Sequence, residues 1–281
     1  MSRVFIFTKL FFALILLFVS CPLLRAAQEV PSERIIERKA FRPTAAEEGE
    51  KKGEWSVGTF YEFSNIVQGS RYGYWDELTN YAGYTYRDMR GYVSMTKLRR
   101  FNQNDYTANF GVNLKLKDYY IHEEYGFGWD VNYIYKQQNI LEVSHKLYRN
   151  LFWQMGYNYR HYPVNDTYLS YPGLIYYFGD NYIGVDYGIS AIESRGVAQF
   201  GTIKSDFALT KFLHWSLGTA IGERLYDIFG LKASKEYGYI IFTAANLNIS
   251  KNVNCRIGFS YGTERPKFIK RSLDASLSVK F

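Results

Sequence analysis

Alternation of apolar and polar residues with a period of two is the feature that most constrains how this chain can fold. At the C-terminus one alternating set consists of the apolar residues Leu273, Ala275, Leu277, Val279 and Phe281. The other set consists of the polar residues Ser272, Asp274, Ser276, Ser278 and Lys280. Because successive side chains of a β-strand point to opposite faces, the pattern predicts a strand with one apolar and one polar face.

The same alternation recurs along the chain, most clearly in residues 106–117, 183–191 and 253–262. Runs of about nine to eleven residues match a tilted β-strand that crosses a bilayer. In a membrane barrel the apolar face meets lipid, whereas in a soluble sandwich it forms the core, so alternation alone fits both. No repeat of about 20 to 50 residues with a shared motif occurs, which excludes propellers and solenoids.

The connections between these segments favour the membrane barrel, because short ones alternate with longer ones. The short connections are residues 88–90, 117–118, 148–150, 179–181 and 251–252. The long connections are residues 65–73, 130–138 and 225–236. Short periplasmic turns that alternate with long external loops are typical of outer-membrane barrels.

Aromatic residues support the same interpretation. The chain contains 27 Tyr, many of them near predicted strand ends, and amphipathic rings favour membrane interfaces. Phe281 ends an alternating strand, and a terminal aromatic residue is typical of the signal that the outer-membrane assembly machinery recognises. We therefore expect the protein to lie in the outer membrane of a Gram-negative bacterium.

The segments together predict an all-β fold, a single transmembrane antiparallel β-barrel of about fourteen strands. The predicted strands begin near Glu54, Tyr74, Gly91, Asp105, Tyr119, Asn139, Leu151, Asp166, Asn181, Gln199, Phe212, Tyr237, Val253 and Lys270. An even number brings both ends of the barrel to the periplasmic side. Since the pattern locates strand ends only to within several residues, twelve to sixteen strands also fit it.

The N-terminus differs from the rest of the chain. Arg3 and Lys9 accompany an apolar run over residues 10–20, and two alanines follow at 26–27. This order predicts a signal peptide over residues 1–27 that is removed on export.

Residues 28–53 are charged and poor in bulky apolar residues, which predicts a disordered or loosely helical periplasmic lead-in before a barrel over residues 54–281. The sequence around Cys21 loosely resembles a lipoprotein cleavage site, so lipidation at Cys21 is the alternative to ordinary signal-peptide cleavage. Removal of residues 1–27 would leave Cys255 as the single cysteine and exclude an internal disulfide. We expect no metal and no cofactor.

Charge narrows the expected partners. The formal net charge is +7, and three of the positive residues lie in the predicted signal peptide. The basic residues are scattered rather than concentrated in a stripe, so nucleic acid is not an expected partner. A mild positive excess suits anionic head groups or acidic glycans. We expect outer-membrane lipids, the assembly machinery and anionic glycans as partners.

A further set of residues carries a resemblance to a known family. The set comprises Trp75, Arg87, Arg100, Phe101, Asp105, the segment Tyr177–Gly179 and the stretch from Leu247 to Phe281. In these positions the chain is similar to the YaiO family of outer-membrane β-barrels over residues 54–281. The resemblance implies a surface-exposed outer-membrane protein and no known reaction. Some members carry additional N-terminal domains, for which residues 28–53 are too short.

One pair of residues could carry hydrolytic chemistry. His214 and Ser216 share a strand face, and membrane-embedded phospholipases use such a base and nucleophile. The alternation places both on the polar face, away from lipid, and no acid is evident to orient the imidazole. We therefore expect a lumen lining and no catalytic residues. His122, Glu123 and Glu124 are expected to form a charge cluster at the membrane interface.

Charged residues on the polar face define the candidate functional surface. The alternation directs ten of them into the barrel: Glu62, Arg87, Lys115, Arg160, Asp186, Lys204, Asp206, Arg256, Asp274 and Lys280. Because both signs are present, two interpretations remain. The charges could pair across neighbouring strands and fill the interior, or they could line a water-filled path for an anionic solute.

The leading hypothesis is a non-enzymatic outer-membrane barrel, either a structural surface protein or a narrow channel, associated with envelope polysaccharide. One alternative is an outer-membrane hydrolase that acts on lipid through His214 and Ser216. Another is a soluble, secreted all-β binding protein, against which the strand that ends at Phe281 argues.

Overall fold

A computed structural model describes residues 53–69, 71–100, 102–163, 165–192, 196–225, 235–264 and 268–281. Its strands are β1 (Glu54–Gln68), β2 (Arg71–Tyr86), β3 (Met89–Arg100), β4 (Gln103–Leu116), β5 (Tyr119–Trp129), β6 (Gln137–Tyr148), β7 (Leu151–His161), β8 (Asp166–Phe178), β9 (Asn181–Ile192), β10 (Gly196–Ala208), β11 (Leu213–Leu225), β12 (Lys235–Asn248), β13 (Val253–Glu264) and β14 (Phe268–Lys280). The predicted signal peptide, and the predicted lead-in except Gly53, lie outside the described residues.

The strands form one closed antiparallel barrel. Each strand pairs with the next in the chain, and β14 pairs with β1. At this seam Ser56 lies opposite Lys280. Trp55 and Phe281 extend the seam through two backbone hydrogen bonds of 2.9 and 3.0 Å. A closed barrel leaves no unpaired sheet edge, which is the condition for β-structure in lipid. Within the described ranges, no helix is long and apolar enough to cross a membrane.

The predicted fold class is confirmed, with fourteen strands. Predicted and observed strand starts differ by at most three residues, as for β2, which begins at Arg71 rather than Tyr74. The long connection predicted over residues 65–73 is wrong, because β1 continues to Gln68 and only two residues separate it from β2. The connection predicted over 130–138 is observed as residues 130–136. Most of the one predicted over 225–236 lies outside the described residues.

The two ends of the barrel differ in their connections. Six connections at the end that holds Trp55 and Phe281 are two to four residues long. At the opposite end, residues 130–136 form a longer loop between β5 and β6. Long connections mark the extracellular end of outer-membrane barrels, and every connection at the first end is short, so the first end is periplasmic and the second is extracellular.

The outer face of the barrel is apolar in the middle and aromatic at both ends. Ile241 and Leu273 are 52% and 59% exposed in the central belt. At the periplasmic end Trp55 packs on Tyr84, with ring centroids 4.9 Å apart. An exposed belt of large apolar side chains around a whole molecule is stable in lipid rather than in water.

The height of this belt fits a bilayer. β5 carries Tyr119 at its periplasmic end and Trp129 at its extracellular end. Both are exposed on the outer face. Ten residue steps at about 3.3 Å, on a strand tilted by about 40°, span about 25 Å, which is the usual height of the apolar band.

Candidate functional site

In the extracellular half of the barrel interior, side chains of the described residues pack together in two clusters. One buried apolar cluster joins the seam strands through Ile66, Trp75 and Phe268. A second cluster on β8, β9 and β10 comprises Ile192, Ala198, Phe200 and Leu169. These residues occupy inward positions that simple alternation predicts to be polar. At these two places the interior is therefore packed like a protein core.

Charged groups complete this packing around Trp75. The guanidinium carbon of Arg100 lies 4.3 Å from the Trp75 ring centroid, and Lys270 Nζ lies 5.7 Å from it. Lys270 Nζ also lies 3.0 Å from Glu62 Oε1. Cations over an indole face and a nearby carboxylate balance each other away from water. Around Trp75, Lys270 thus pairs with Glu62, and both cations occupy the interior.

The extracellular loop 130–136 folds into the barrel and is held there by Asp105. The Asp105 carboxylate, which is 1% exposed, accepts backbone N–H bonds from residues 132, 133 and 134 at 2.8, 2.6 and 3.0 Å. Tyr135 is buried and donates a 2.8 Å hydrogen bond to Asn109. We call the Asp105 carboxylate and these three amides the Asp105 latch. A charged acceptor of several backbone N–H groups makes strong hydrogen bonds.

The periplasmic half of the interior is hollow. A cavity of about 750 Å³, here called the vestibule, extends from Lys280 at the periplasmic mouth to Asn109. Asn109 is also the residue that Tyr135 of the inward loop contacts. The inner end of the vestibule therefore lies beneath loop 130–136. Its volume falls within the range of about 300–1,000 Å³ that small-molecule sites occupy.

The vestibule lining combines amides, hydroxyls and aromatic rings. The amide side chains are Asn109, Gln138, Asn246, Asn248, Asn252 and Asn254. The aromatic side chains are Phe60, Tyr81, Tyr177, Tyr182 and Phe212. Neutral hydrogen-bonding groups beside aromatic faces suit a polar ligand with an apolar face.

The charges of the vestibule are mainly positive and lie mostly at its mouth. Its cationic side chains are Arg90, Lys211, Lys251, Arg256 and Lys280, and its carboxylates are Glu54, Glu124 and Asp206. The carboxylates are engaged within the protein. Glu54 pairs with Lys280 at 2.9 Å, and Glu124 accepts hydrogen bonds from Tyr92 and Gln138. The mouth thus presents a positive field to the periplasm.

Arg256 is the buried cation of the vestibule wall. It is 3% exposed, and its Nε donates a 3.1 Å hydrogen bond to Asp274 Oδ1. Its Nη1 is buried and makes no hydrogen bond within the described part of the chain. Strand order places Asn246 and Ser276 directly opposite Arg256 on the two neighbouring strands.

His214 and Ser216 both face the interior, and the structure supplies the acid that sequence reasoning did not identify. Asp206, only 2% exposed, accepts a 2.7 Å hydrogen bond from Ser216 Oγ and lies 3.1 Å from His214 Nδ1. Asn246 Nδ2 donates to Ser216 Oγ at 3.3 Å. In this arrangement the serine hydroxyl is directed to the carboxylate rather than to the imidazole.

The structure places nine of the ten predicted lumen residues on the inward face. They are Glu62, Lys115, Arg160, Asp186, Lys204, Asp206, Arg256, Asp274 and Lys280. The prediction for Arg87 is wrong. β2 ends at Tyr86, and Arg87 lies in the following turn with a φ of 54°. The alternation therefore stops one residue before it.

Four residues lie in the barrel interior that the sequence analysis did not place there. Lys270 and Asp105 were not assigned to the lumen, although each shares the inward alternation of its strand. The interface cluster expected at His122–Glu124 is wrong for two of its members. Glu124 lines the vestibule, and His122 Nδ1 lies 3.0 Å from the Asn113 carboxamide inside the barrel. His122 and Glu124 lie two positions apart on β5, so the alternation along that strand could have placed both inside the barrel.

At the extracellular rim, beyond the aromatic residues Tyr159 and Tyr168, His161 closes the β7–β8 hairpin. Its Nδ1 lies 2.6 Å from Asp166 Oδ1. The hydrogen bond from His161 holds the pKa of the Asp166 carboxyl below its ordinary value, and Tyr159 contributes a second one at 2.9 Å. No group of three metal-ligating side chains occurs in the part of the chain that the structure describes.

A closed barrel with a lipid-facing apolar belt, a polar interior and short periplasmic turns is an outer-membrane β-barrel protein. The protein accordingly lies in the outer membrane.

Comparison with known proteins supports this architecture. No family model and no curated protein matches the sequence. Among solved structures, a bacterial polysaccharide outer membrane secretin is similar, with a TM-score of 0.53 and 8% identity over 83% of this chain and 100% of that chain. Omp33 of Acinetobacter baumannii is similar, with a TM-score of 0.50 and 12% identity over 81% of this chain and 99% of that chain. At these identities the likeness shows the fold.

Proposed function

We propose that the protein is a non-enzymatic, surface-exposed conduit of the outer membrane, closed at rest, that takes a polar envelope saccharide from the periplasm. The observation that carries this proposal is the vestibule, a hollow periplasmic half that ends beneath the inward loop 130–136. Opening would require that loop to leave the interior. The two interpretations of the lumen charges then apply together, because charges pair in both halves and the lower half also leaves a water-filled space.

The lining favours a saccharide as the solute. Amide and hydroxyl side chains can replace the water that hydrates sugar hydroxyls, and aromatic rings can cover the apolar face of a sugar ring. The positive mouth favours an anionic glycan among saccharides. We also propose that the protein is a member of the YaiO family. We further propose that it contacts outer-membrane lipids and that the assembly machinery recognises Phe281.

Planar-bilayer recording on purified protein tests the conduit. We expect the wild type to remain mostly closed, with rare openings, because the Asp105 latch holds loop 130–136 inside. Asp105→Asn removes the charge that binds three backbone amides, which are worth about 1.5–3 kcal/mol each when the acceptor is charged. This variant should open more often. Asp76→Asn is the matched control, because Asp76 pairs with Arg99 on the outer face.

Two results would contradict the conduit. One is silence of both the wild type and Asp105→Asn under all voltages. The other is a wide, permanently open pore in the wild type, which the packed extracellular half does not allow.

A lipid hydrolase is the second candidate, and the Asp206 carboxylate beside His214 and Ser216 favours it. The direction of the Ser216 hydroxyl and the inward position of all three residues weigh against it. Lipid hydrolysis by purified protein that is lost in His214→Ala would support the hydrolase in place of the conduit.

A further inference from the structure

We propose that Arg256 is the centre of a binding site for a carboxylate-bearing saccharide on the wall of the vestibule. This inference rests on the proposed function, because it names the substrate class that the vestibule takes. It adds the residues that would distinguish an acidic sugar from a neutral one.

The hydrogen bonding of Arg256 is the first ground. A guanidinium carries five N–H donors, and a buried one is normally saturated with acceptors. Asp274 engages Nε, whereas Nη1 has no hydrogen-bond partner within the described residues. The side chain nevertheless borders the vestibule. A planar donor group of this kind binds carboxylates in a two-pronged geometry.

The neighbours of Arg256 are the second ground. Asn246, Arg256, Ser276 and Phe60 occupy directly opposed positions on β12, β13, β14 and β1. All four line the vestibule. The row thus offers an amide, a guanidinium, a hydroxyl and an aromatic ring side by side. A sugar acid presents the matching groups, namely hydroxyls, a carboxylate and an apolar ring face.

The field at the mouth is the third ground. Among the described residues, Lys211 and Lys251 border the vestibule and make no ion pair. The positive mouth would concentrate anions from the periplasm before they reach Arg256. Free phosphate shares the anionic chemistry, but it would leave the amide, hydroxyl and aromatic members of the row unused. The combination therefore favours the saccharide.

Binding to purified protein in detergent tests the site without requiring conduction. The probes are trigalacturonate, its neutral counterpart galactotriose and inorganic phosphate, each followed by calorimetric titration. We expect the wild type to bind trigalacturonate at least about tenfold more tightly than either of the other probes, since one hydrogen bond to a charged group is worth about a factor of ten or more.

The test variant replaces both members of the buried pair, because removal of Arg256 alone would leave Asp274 as an uncompensated buried charge. The double substitution Arg256→Gln with Asp274→Asn should weaken trigalacturonate binding about tenfold or more and leave galactotriose binding unchanged. The matched control is Lys204→Gln with Asp186→Asn. This pair is also buried, with Nζ and Oδ2 2.8 Å apart, and does not border the vestibule.

Three results would overturn the inference. The first is trigalacturonate affinity that is equal in the wild type and the Arg256 double variant. The second is equal affinity for trigalacturonate and galactotriose. The third is phosphate binding as tight as trigalacturonate binding, which would show a simple anion site. If binding depends on Arg256 while bilayers stay silent, the conduit fails and the site stands. If the barrel conducts and trigalacturonate does not bind, the conduit stands and the site fails.

Discussion

At the scale of single residues, the interior is built from large rings that lie over glycines of neighbouring strands. A Cβ atom added at Gly188 would lie 2.0 Å from the Phe200 ring, and one added at Gly156 would lie 2.0 Å from the Tyr171 ring. In the sequence these glycines are ordinary members of the polar face. Their partners depend on cross-strand register, which a single strand does not encode.

This packing predicts a large effect of one methyl group. Gly188→Ala would force Phe200 out of its buried cluster, and overpacking of this kind costs about 1–3 kcal/mol. We expect a lower midpoint of urea unfolding, measured by tryptophan fluorescence. Gly91→Ala is the control, because nothing lies within 4 Å of a Cβ added there. Equal midpoints for the two variants would contradict the packing.

At the scale of single elements, period-two alternation predicted strands well and loops poorly. Strand starts such as Glu54, Leu151 and Val253 follow directly from the alternation. The inward fold of residues 130–136 does not, because the contact that holds it joins Asp105 to a backbone amide 27 residues away. Alternation also predicts polar inward positions, so the buried Ile66 and Phe200 were not foreseen.

The β7–β8 hairpin tip carries a pH dependence of defined sign. Because the pKa of Asp166 is lowered in the folded protein, the ionised Asp166 carboxylate stabilises the fold. This stabilisation is present above the ordinary pKa of 3.8 and is lost as pH falls through the lower pKa of the folded protein. We expect the wild type to melt at a higher temperature than Asp166→Asn at pH 5. That difference should shrink toward zero near pH 2. A difference independent of pH would contradict the contribution of the Asp166 carboxylate.

At the scale of the whole molecule, the barrel divides into a filled extracellular half and a hollow periplasmic half. The sequence predicted the closed barrel and the mixed sign of the interior charges, since both follow from alternation along single strands. It could not predict which half of the interior is filled and which half is hollow. That division depends on side chains from strands far apart in sequence, such as Glu62 and Lys270.

Cysteine accessibility tests this division most directly. In a Cys255→Ala background, Ser278→Cys places a thiol in the vestibule, and Ser64→Cys places one in the filled half, where Ser64 is 1% exposed. We expect a water-soluble maleimide to label the first in folded, detergent-solubilised protein at least about 100-fold faster than the second, because the second requires local opening. Both should react in urea. Equally fast labelling of Ser64→Cys in the folded barrel would contradict the filled half and the closed conduit built upon it.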